Sequence, residues 1–112
     1  MIIFLREDEV LSYDVYDMIV HNSTGKTILF VSPSYRQSKE VFDVYEERCK
    51  SIKYVSFKRN VDSCEIYNKI EKIRTVFLPI SKERLGGIKH DMLFVNDAKN
   101  IPYEILTGLA VV

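Results

Sequence analysis

The sequence predicts an α/β fold in which helices sandwich a mostly parallel sheet. The main observation is that short runs of continuous apolar residues, typical of strands buried on both faces, alternate with segments in which apolar residues recur every three or four positions. A second observation is the scarcity of Gly and Pro, which number 4 and 3 among 112 residues and indicate that most of the chain is regular structure. A chain of this length is expected to form one domain, residues 1–112.

Two strands and the helix between them are predicted at the start of the chain. Ile2–Leu5 is an apolar run and indicates a buried strand. A helix is expected over about Asp8–His21, with an inward stripe at helical spacing formed by Leu11, Val15, Met18 and Ile19. Gly25 suits the left-handed turn that follows a helix. Thr27–Ser32 then forms a second buried strand.

The second predicted helix begins with a capping signal. Ser34 and Gln37 have the spacing of a capping box, in which the hydroxyl and the amide each satisfy a free N–H group at the helix start. The helix is expected to continue to about Lys50, with an inward stripe formed by Ser38, Val41, Phe42, Tyr45 and Cys49. Ile52–Phe57 is the third predicted strand.

The pattern between residues 60 and 80 allows two interpretations. Cys64–Asn68 and Ile73–Ile80 have the composition of two strands that form a hairpin across Lys69–Lys72. A short helix over Ser63–Ile73 is the alternative.

The last third of the chain is predicted to contain a loop, a strand and a helix. Ser81–His90 is a charged loop with a double glycine. Met92–Val95 is the final strand, and a short helix is expected over Tyr103–Leu109.

Composition excludes several classes of protein. The 16 basic and 16 acidic side chains cancel, which is unlike a polycationic nucleic-acid coat or an acidic tail, and the 46% hydrophobic content is unlike a disordered linker. The two cysteines and two histidines have no ligand spacing, so no metal site is expected, and Cys49 and Cys64 are interpreted as reduced thiols. The first ten residues match neither a signal peptide nor a membrane span, so we expect a cytoplasmic protein with no membrane contact.

One short motif suggests a function, and its context argues against it. Gly25-Lys26-Thr27 matches the end of the phosphate-binding pattern GxxxxGK[ST], but Val20 stands where the first glycine belongs. A phosphate loop also follows a strand and opens a helix, so that the helix N–H groups face the phosphates. Here the motif follows a helix and enters a strand, which predicts a plain turn.

Two longer segments resemble a known family. TILFVSPSYRQSKEVF, residues 27–42, is similar to the second strand and helix of the ATPase domain of phage large terminases. LPISKERLGGIKHDMLFVNDAKNIP, residues 78–102, is similar to the stretch that leads into their Walker B strand. The resemblance spans Ile2 to Pro102 and implies a P-loop NTPase-like fold in a reduced form, a single truncated terminase-like domain.

Both nucleotide-handling sites of that family are altered in this chain. The phosphate-loop position has no Gly-Lys-Ser/Thr and is occupied by Arg6, Glu7, Asp8 and Glu9. The three carboxylates there would repel the phosphates of a nucleotide. At the Walker B position, Asn96 replaces the metal-supporting Asp and Asp97 replaces the catalytic Glu. The resemblance therefore implies a catalytically inactive domain with no catalytic residue, metal or cofactor.

The function expected from these departures is binding. The chain is interpreted as a small viral or phage-like protein that regulates or assists a DNA-processing or packaging machine in the cytoplasm of a host cell. Because the chain ends soon after the Walker B position, an uncovered sheet edge or face is expected to bind another protein or a second copy of the chain.

Two alternatives stay open. The first is an ATP-binding subunit of a packaging or helicase-type motor that is active only when assembled, with Arg36, Lys82 and Arg84 as the local cationic groups. The second is a stand-alone α/β interaction domain with only topological similarity to the family. A strand order unlike the 3-2-1 type of P-loop sheets would favour the second alternative.

Nucleic acid is a further possible partner. Basic residues interleaved with aromatic ones, such as Tyr54 and Phe57, can form a surface for single strands or another anion. The candidate contacts are Arg36, Lys53, Lys58, Arg59, Lys82, Arg84 and Lys89. The competing interpretation is a solvated face whose aromatic side chains turn into the core.

Overall fold

Six strands of the described residues form a mixed sheet, which is the framework of the fold. The computed structural model describes residues 2–4, 12–80, 90–102, 104 and 105. The elements in chain order are β1 (Ile2–Phe4), α1 (Tyr13–His21), β2 (Thr27–Ser32), α2 (Tyr35–Cys49), β3 (Val55–Arg59), β4 (Cys64–Asn68), β5 (Ile73–Pro79) and β6 (Met92–Val95), followed by a 3₁₀ turn at Ala98–Asn100.

The strand order in the sheet is β1-β6-β2-β5-β4-β3. Strands β1, β6, β2 and β5 are parallel, whereas β4 runs antiparallel to both β5 and β3. The α/β class is therefore confirmed, and the sheet is mixed, because β3, β4 and β5 form an antiparallel meander. In this order β6 separates β1 from β2, and β5 and β4 separate β2 from β3, so the three strands of a 3-2-1 arrangement are not neighbours.

Helices α1 and α2 pack on the same face of the sheet, so these two helices do not confirm the expected sandwich. A row of three phenylalanines crosses the parallel strands on this face, because Phe30 is in register with Phe77 on one side and Phe94 on the other. The ring centroids of each pair are 5.6 Å apart. The buried stripe of α2 that packs on this row consists of Ser38, Val41, Phe42, Tyr45 and Cys49, as predicted.

The opposite face of the parallel strands is also buried. Its core is aliphatic and consists of Leu29, Val31, Val76, Leu78, Leu93 and Val95. Ile101 packs against it, together with the partly buried Ala98 and Ile105. Burial on both faces explains why β2 and β6 are continuously apolar in the sequence, and both strands have the predicted bounds.

The predicted stripe of α1 is wrong at Val15 and Met18, whereas Ile19 packs against the core as predicted and Leu11 lies outside the described residues. Val15 and Met18 are 39% and 59% exposed, whereas Tyr16 and Val20 are buried. Tyr16 stacks on Tyr45 of α2 with ring centroids 4.5 Å apart, and its hydroxyl is 2.7 Å from Thr75 Oγ1 of β5. The aromatic ring supplies apolar area and the hydrogen bond satisfies its polar end, so the tyrosine face of the helix turns inward.

Two other predictions concern the middle of the chain. The hairpin of β4 and β5 is confirmed, and the short helix over Ser63–Ile73 is wrong. The third strand begins later than the predicted Ile52–Phe57, because Ile52 to Tyr54 form a turn in which the Val55 N–H donates to the Ile52 carbonyl at 3.1 Å. The strand also ends later, at Arg59.

Gly25 occupies the predicted turn between α1 and β2, with φ of 77°. Most of the predicted loop Ser81–His90 and most of the predicted helix Tyr103–Leu109 lie outside the described residues.

Candidate functional site

The carboxyl ends of the four parallel strands meet at one edge of the sheet. In open α/β sheets, ligands bind in the crevice outside the carboxyl ends of the strands. We call this region the carboxyl edge; the described side chains that form it are Ser32, Ser34, Gln37, Asn96, Asp97 and Asn100. Ser32 is the last residue of β2, and the others belong to the segments that follow β2 and β6.

Asp97 is the central residue of the carboxyl edge. It follows β6, is only 7% exposed and has a left-handed backbone with φ of 51°. Gln37 Nε2 donates to its Oδ2 at 2.9 Å, and Asn100 Nδ2 lies 2.9 Å from Oδ1 and 2.8 Å from Oδ2. Both carboxylate oxygens therefore accept hydrogen bonds from neutral amides.

Ser34 and Gln37 connect α2 to this carboxylate. The Ser34 hydroxyl caps α2 by accepting from the Gln37 N–H at 3.3 Å, as the capping signal predicts. The Gln37 amide does not close the capping box. Its oxygen accepts from the Ser34 hydroxyl at 3.1 Å while its nitrogen donates to Asp97. The orientation of the Gln37 side chain is set instead by the charge-assisted hydrogen bond that its nitrogen donates to the Asp97 carboxylate.

Asn96 completes the network on the β2 side. Its Nδ2 donates to the Ser32 Oγ at 3.3 Å, and its backbone N–H donates to the Val31 carbonyl at 2.8 Å. Asn96 and Asp97, predicted as one site from the end of the last strand, therefore lie together at the carboxyl edge. The sequence analysis does not identify Gln37 and Asn100 as partners of this site. Asn100 lies three residues after Asp97, and this short separation is a signal that could have indicated a local hydrogen bond.

The other predicted positions are distributed differently. Arg6, Glu7, Asp8 and Glu9 of the predicted phosphate-loop position lie outside the described residues, as do Lys82, Arg84 and Lys89. Lys53 and Lys58 are exposed on and beside β3, far along the sheet from Asp97.

Each of the four described arginines is paired with at least one carboxylate. Arg59 binds Asp43 at 2.9 Å and Glu46 at 2.6 Å, and its guanidinium lies over the Phe42 ring. These contacts raise its pKa, chiefly through the hydrogen bond to Asp43. The other three pairs are Arg36–Glu40, Arg48–Asp14 and Arg74–Glu65. The predicted basic surface is thus neutralised at its described arginines, and Phe57 turns into the core against Phe42.

Strand β3 is the last strand in the sheet order, and its outer side is an open edge. The Lys69 N–H donates to the Tyr54 carbonyl at 2.9 Å, and the Asn60 N–H donates to the Ser63 carbonyl at 2.8 Å. These two bonds fix which residues of β3 direct their backbone groups toward β4. Because hydrogen-bonded and non-bonded pairs alternate in an antiparallel ladder, Ser56 and Lys58 bond to β4. The N–H and carbonyl groups of Phe57 and Arg59 point the other way, and no described strand pairs with them.

The described part of the chain has neither a metal-ligand cluster nor a candidate membrane span. No group of three or more His, Cys, Asp or Glu residues within it is arranged to hold a metal ion. None of its helices is long and apolar enough to cross a membrane. Cys49 and Cys64 are free, buried thiols, and burial raises the pKa of Cys49 to about 11.

The fold and the two edges define a small α/β domain with a mixed sheet, a hydrogen-bonded polar carboxyl edge and an open antiparallel edge. No protein-family profile, curated protein or solved structure gives a match to the chain.

Proposed function

We propose that this chain is a non-catalytic interaction domain that binds another protein chain along the open edge of β3. The observation that carries the proposal is the set of outward N–H and carbonyl groups of Phe57 and Arg59. An unpaired strand edge is a template for strand addition, and main-chain hydrogen bonds supply its affinity.

The carboxyl edge supports the non-catalytic part of the proposal. A general base needs a lone pair within reach of the proton that it removes, and Asp97 is only 7% exposed. Both oxygens of Asp97 already accept from Gln37 and Asn100. The side chain is therefore held as a structural acceptor, and the strand order favours a stand-alone interaction domain over a working nucleotide-binding core.

A second copy of the chain is the partner that fits this edge. Only residues whose backbone groups point outward can pair, and an antiparallel register centred on Phe57 overlaps the whole of Val55–Arg59. This register places Lys58 opposite Ser56 of the second copy and Arg59 opposite its Val55. No like charges meet, whereas a shift by one pair toward Arg59 would place Lys58 opposite Lys58.

The symmetric pair would form about four backbone hydrogen bonds across the two-fold axis, because the Val55 N–H already bonds to Ile52. A bond of this kind contributes about 1 kcal/mol net. The contact is therefore weak on its own, and we expect dimers at high concentration and monomers on dilution.

Charge reversal at Ser56 tests the register. S56K places a lysine opposite Lys58 of the second copy, twice per dimer, whereas S56E places a glutamate there. Sedimentation equilibrium should show weaker association for S56K and tighter association for S56E. V61K and V61E are matched controls, because Val61 is 96% exposed and lies outside the strand. A wild-type chain that stays monomeric at millimolar concentration, or equal effects of the two Ser56 variants, would overturn the proposal.

The resemblance to large terminases gives a narrower form of the proposal, in which the bound protein is a component of a DNA-packaging machine. Thermal unfolding with and without Mg-ATP and DNA tests the alternatives. A rise of several degrees with Mg-ATP would favour the assembled ATP-binding subunit, and a salt-sensitive rise with DNA would favour nucleic-acid binding. We expect neither, because the described arginines are engaged by carboxylates.

A further inference from the structure

Three turns of the chain meet at the end of the sheet opposite to the carboxyl edge. They are the turn before β2, the segment before β3, and the turn between β4 and β5. The Gly25 N–H donates to the Glu71 carbonyl at 2.9 Å, which joins the first turn to the third. The Lys69 N–H donates to the Tyr54 carbonyl at 2.9 Å, which joins the second to the third. The three turns therefore form one continuous surface.

Four exposed lysines occupy these turns. The set, which we call the lysine surface, consists of Lys26, Lys53, Lys69 and Lys72. No carboxylate of the described residues pairs with any of the four, whereas Lys50, at the end of α2, lies 2.8 Å from Glu47 Oε1. The lysine surface thus differs from the described arginines, each of which is paired with a carboxylate.

The carboxylates that the described chain places near these turns are engaged by other groups. Glu71 Oε1 and Asp17 Oδ2 contact His21 at 3.3 and 3.5 Å, and Glu71 Oε2 is buried. Asp91 Oδ2 accepts from the Thr27 N–H at 2.9 Å. The outermost charges of this end are therefore the lysine ammonium groups, which make the potential beyond the turns positive.

An exposed aliphatic side chain stands among these lysines. Ile70 lies in the turn between β4 and β5, directly after Lys69, and is 68% exposed. Tyr54, in the adjoining segment, is 40% exposed. Burial of aliphatic area in a lipid interface is favourable, and tyrosine suits the level of the headgroups. An apolar tip beside basic side chains is the combination that holds a protein on the surface of an anionic membrane.

We infer that this surface docks on an anionic lipid bilayer, with Ile70 inserted among the headgroups and the lysine surface against their negative charges. The aliphatic tip favours lipid over single-stranded nucleic acid, because bases bind by stacking on aromatic or guanidinium planes. The contact is peripheral, and it revises the expectation of no membrane contact, which considered only a spanning segment. The surface does not use the open edge of β3, so either proposal can fail alone.

Cosedimentation with vesicles tests the role of charge. The chain should bind vesicles of equimolar phosphatidylserine and phosphatidylcholine and should not bind vesicles of phosphatidylcholine alone. Raising NaCl from about 0.1 M to about 1 M should weaken the binding at least tenfold, because the Debye length falls from about 10 Å to about 3 Å.

Charge variants locate the contact on the protein. K53Q and K69Q should each weaken binding to the anionic vesicles about fivefold, because each removes one cation from the lipid-facing surface. K39Q is the control of equal charge change, since Lys39 is an exposed residue of α2 near the carboxyl edge. It should leave the binding nearly unchanged.

The sequence contains no tryptophan, so a single introduced indole can report on insertion. On anionic vesicles, the fluorescence of I70W should shift to shorter wavelength and be quenched by brominated lipid. V61W is the matched control, because Val61 is 96% exposed in the connection between β3 and β4, at the other end of the meander. I70S should weaken binding about tenfold, whereas V61S should not.

Three results would overturn the inference. The first is equal binding to vesicles with and without phosphatidylserine, and the second is unchanged binding in both K53Q and K69Q. The third is an I70W signal no different from that of V61W. Binding of a single-stranded oligonucleotide that K53Q and K69Q weaken and I70S does not, without vesicle binding, would assign the surface to nucleic acid instead.

Discussion

Asp97 combines two costs that its surroundings compensate. A residue with a Cβ atom in the left-handed region costs roughly 1–2 kcal/mol, although Asp tolerates it better than most. A buried carboxylate is costly unless it is hydrogen-bonded. The donors Gln37 and Asn100 meet the second cost, and the Asn100 N–H bond to the Asp97 carbonyl at 3.0 Å helps to hold the turn.

Two substitutions separate these costs. D97A and D97G both remove the carboxylate that accepts hydrogen bonds from the two side-chain amides. This loss should lower the free energy of unfolding by about 1.5–3 kcal/mol. D97G should be the less damaging by about 1 kcal/mol, because glycine adopts a φ of 51° without strain. Urea denaturation measures both values. If D97A were as stable as D97G, the left-handed turn would not be a property of the folded protein.

The position of Asp97 was predictable and its environment was not. A polar residue directly after a buried strand is expected at the carboxyl edge, and this places Asn96 and Asp97 correctly. The donor Gln37 lies 60 positions away on another element. No local pattern relates such a pair, because the contact depends on β2 and β6 being neighbours in the sheet.

At the scale of the element, the hairpin of β4 and β5 contains the second strained residue. Lys72 closes the turn with φ of 56°, and the Asn68 side chain supports the turn by accepting from the N–H groups of Ile70 and Glu71 at 3.1 and 3.0 Å. Both features favour a tight reversal between strands, which is why the hairpin forms and the alternative helix does not.

Lys72 offers a stabilising substitution. K72G should raise the free energy of unfolding by up to about 1 kcal/mol, since the relief of the left-handed conformation outweighs the added freedom of the unfolded chain. K69G, in the same turn but without positive φ, should instead lower it by a few tenths of a kcal/mol. Thermal or urea unfolding of the two variants checks the prediction, and a destabilised K72G would contradict it.

The two helices show when the spacing of apolar residues is sufficient to predict which helix face is buried. The stripe of α2 is predicted completely because its apolar residues stand opposite charged ones, so only one face can be buried. In α1 the aliphatic Val15 and Met18 compete with Tyr13 and Tyr16, and hydropathy favours the wrong pair. The buried face is determined by contacts with Thr75 and Tyr45, which lie far along the chain and pack against the tyrosine side of the helix.

At the scale of the whole molecule, several acidic groups are buried in their neutral form. Burial raises the pKa of Tyr16 and Tyr45 well above the ordinary value near 10, raises that of Tyr13 to about 12, and raises that of the Cys49 thiol to about 11. Because the unfolded chain releases these protons at lower pH than the folded one, ionisation favours unfolding in alkali.

The free energy of unfolding should therefore not depend on these groups below about pH 8, and it should fall as the pH rises through the ordinary pKa values of the thiol and the phenols. Each fully buried group contributes a slope of up to about 1.4 kcal/mol per pH unit. Urea midpoints across this range, with the near-ultraviolet absorbance of tyrosinate, measure the effect. Y45F should reduce the slope, and ionisation of all tyrosines before unfolding would refute the prediction.

The place of β6 between β1 and β2 has a consequence for the order in which the protein assembles. Ile2, Ile3 and Phe4 pair with Leu93, Phe94 and Val95, so β1 meets its partner only after roughly ninety further residues have been synthesised. The meander of β3, β4 and β5 closes through short loops and can form early, and β2 can join it through β5. We therefore expect β6 to join β2 late, and β1 only when β6 is in place, so that two segments far apart in the sequence enter the sheet after the meander has formed.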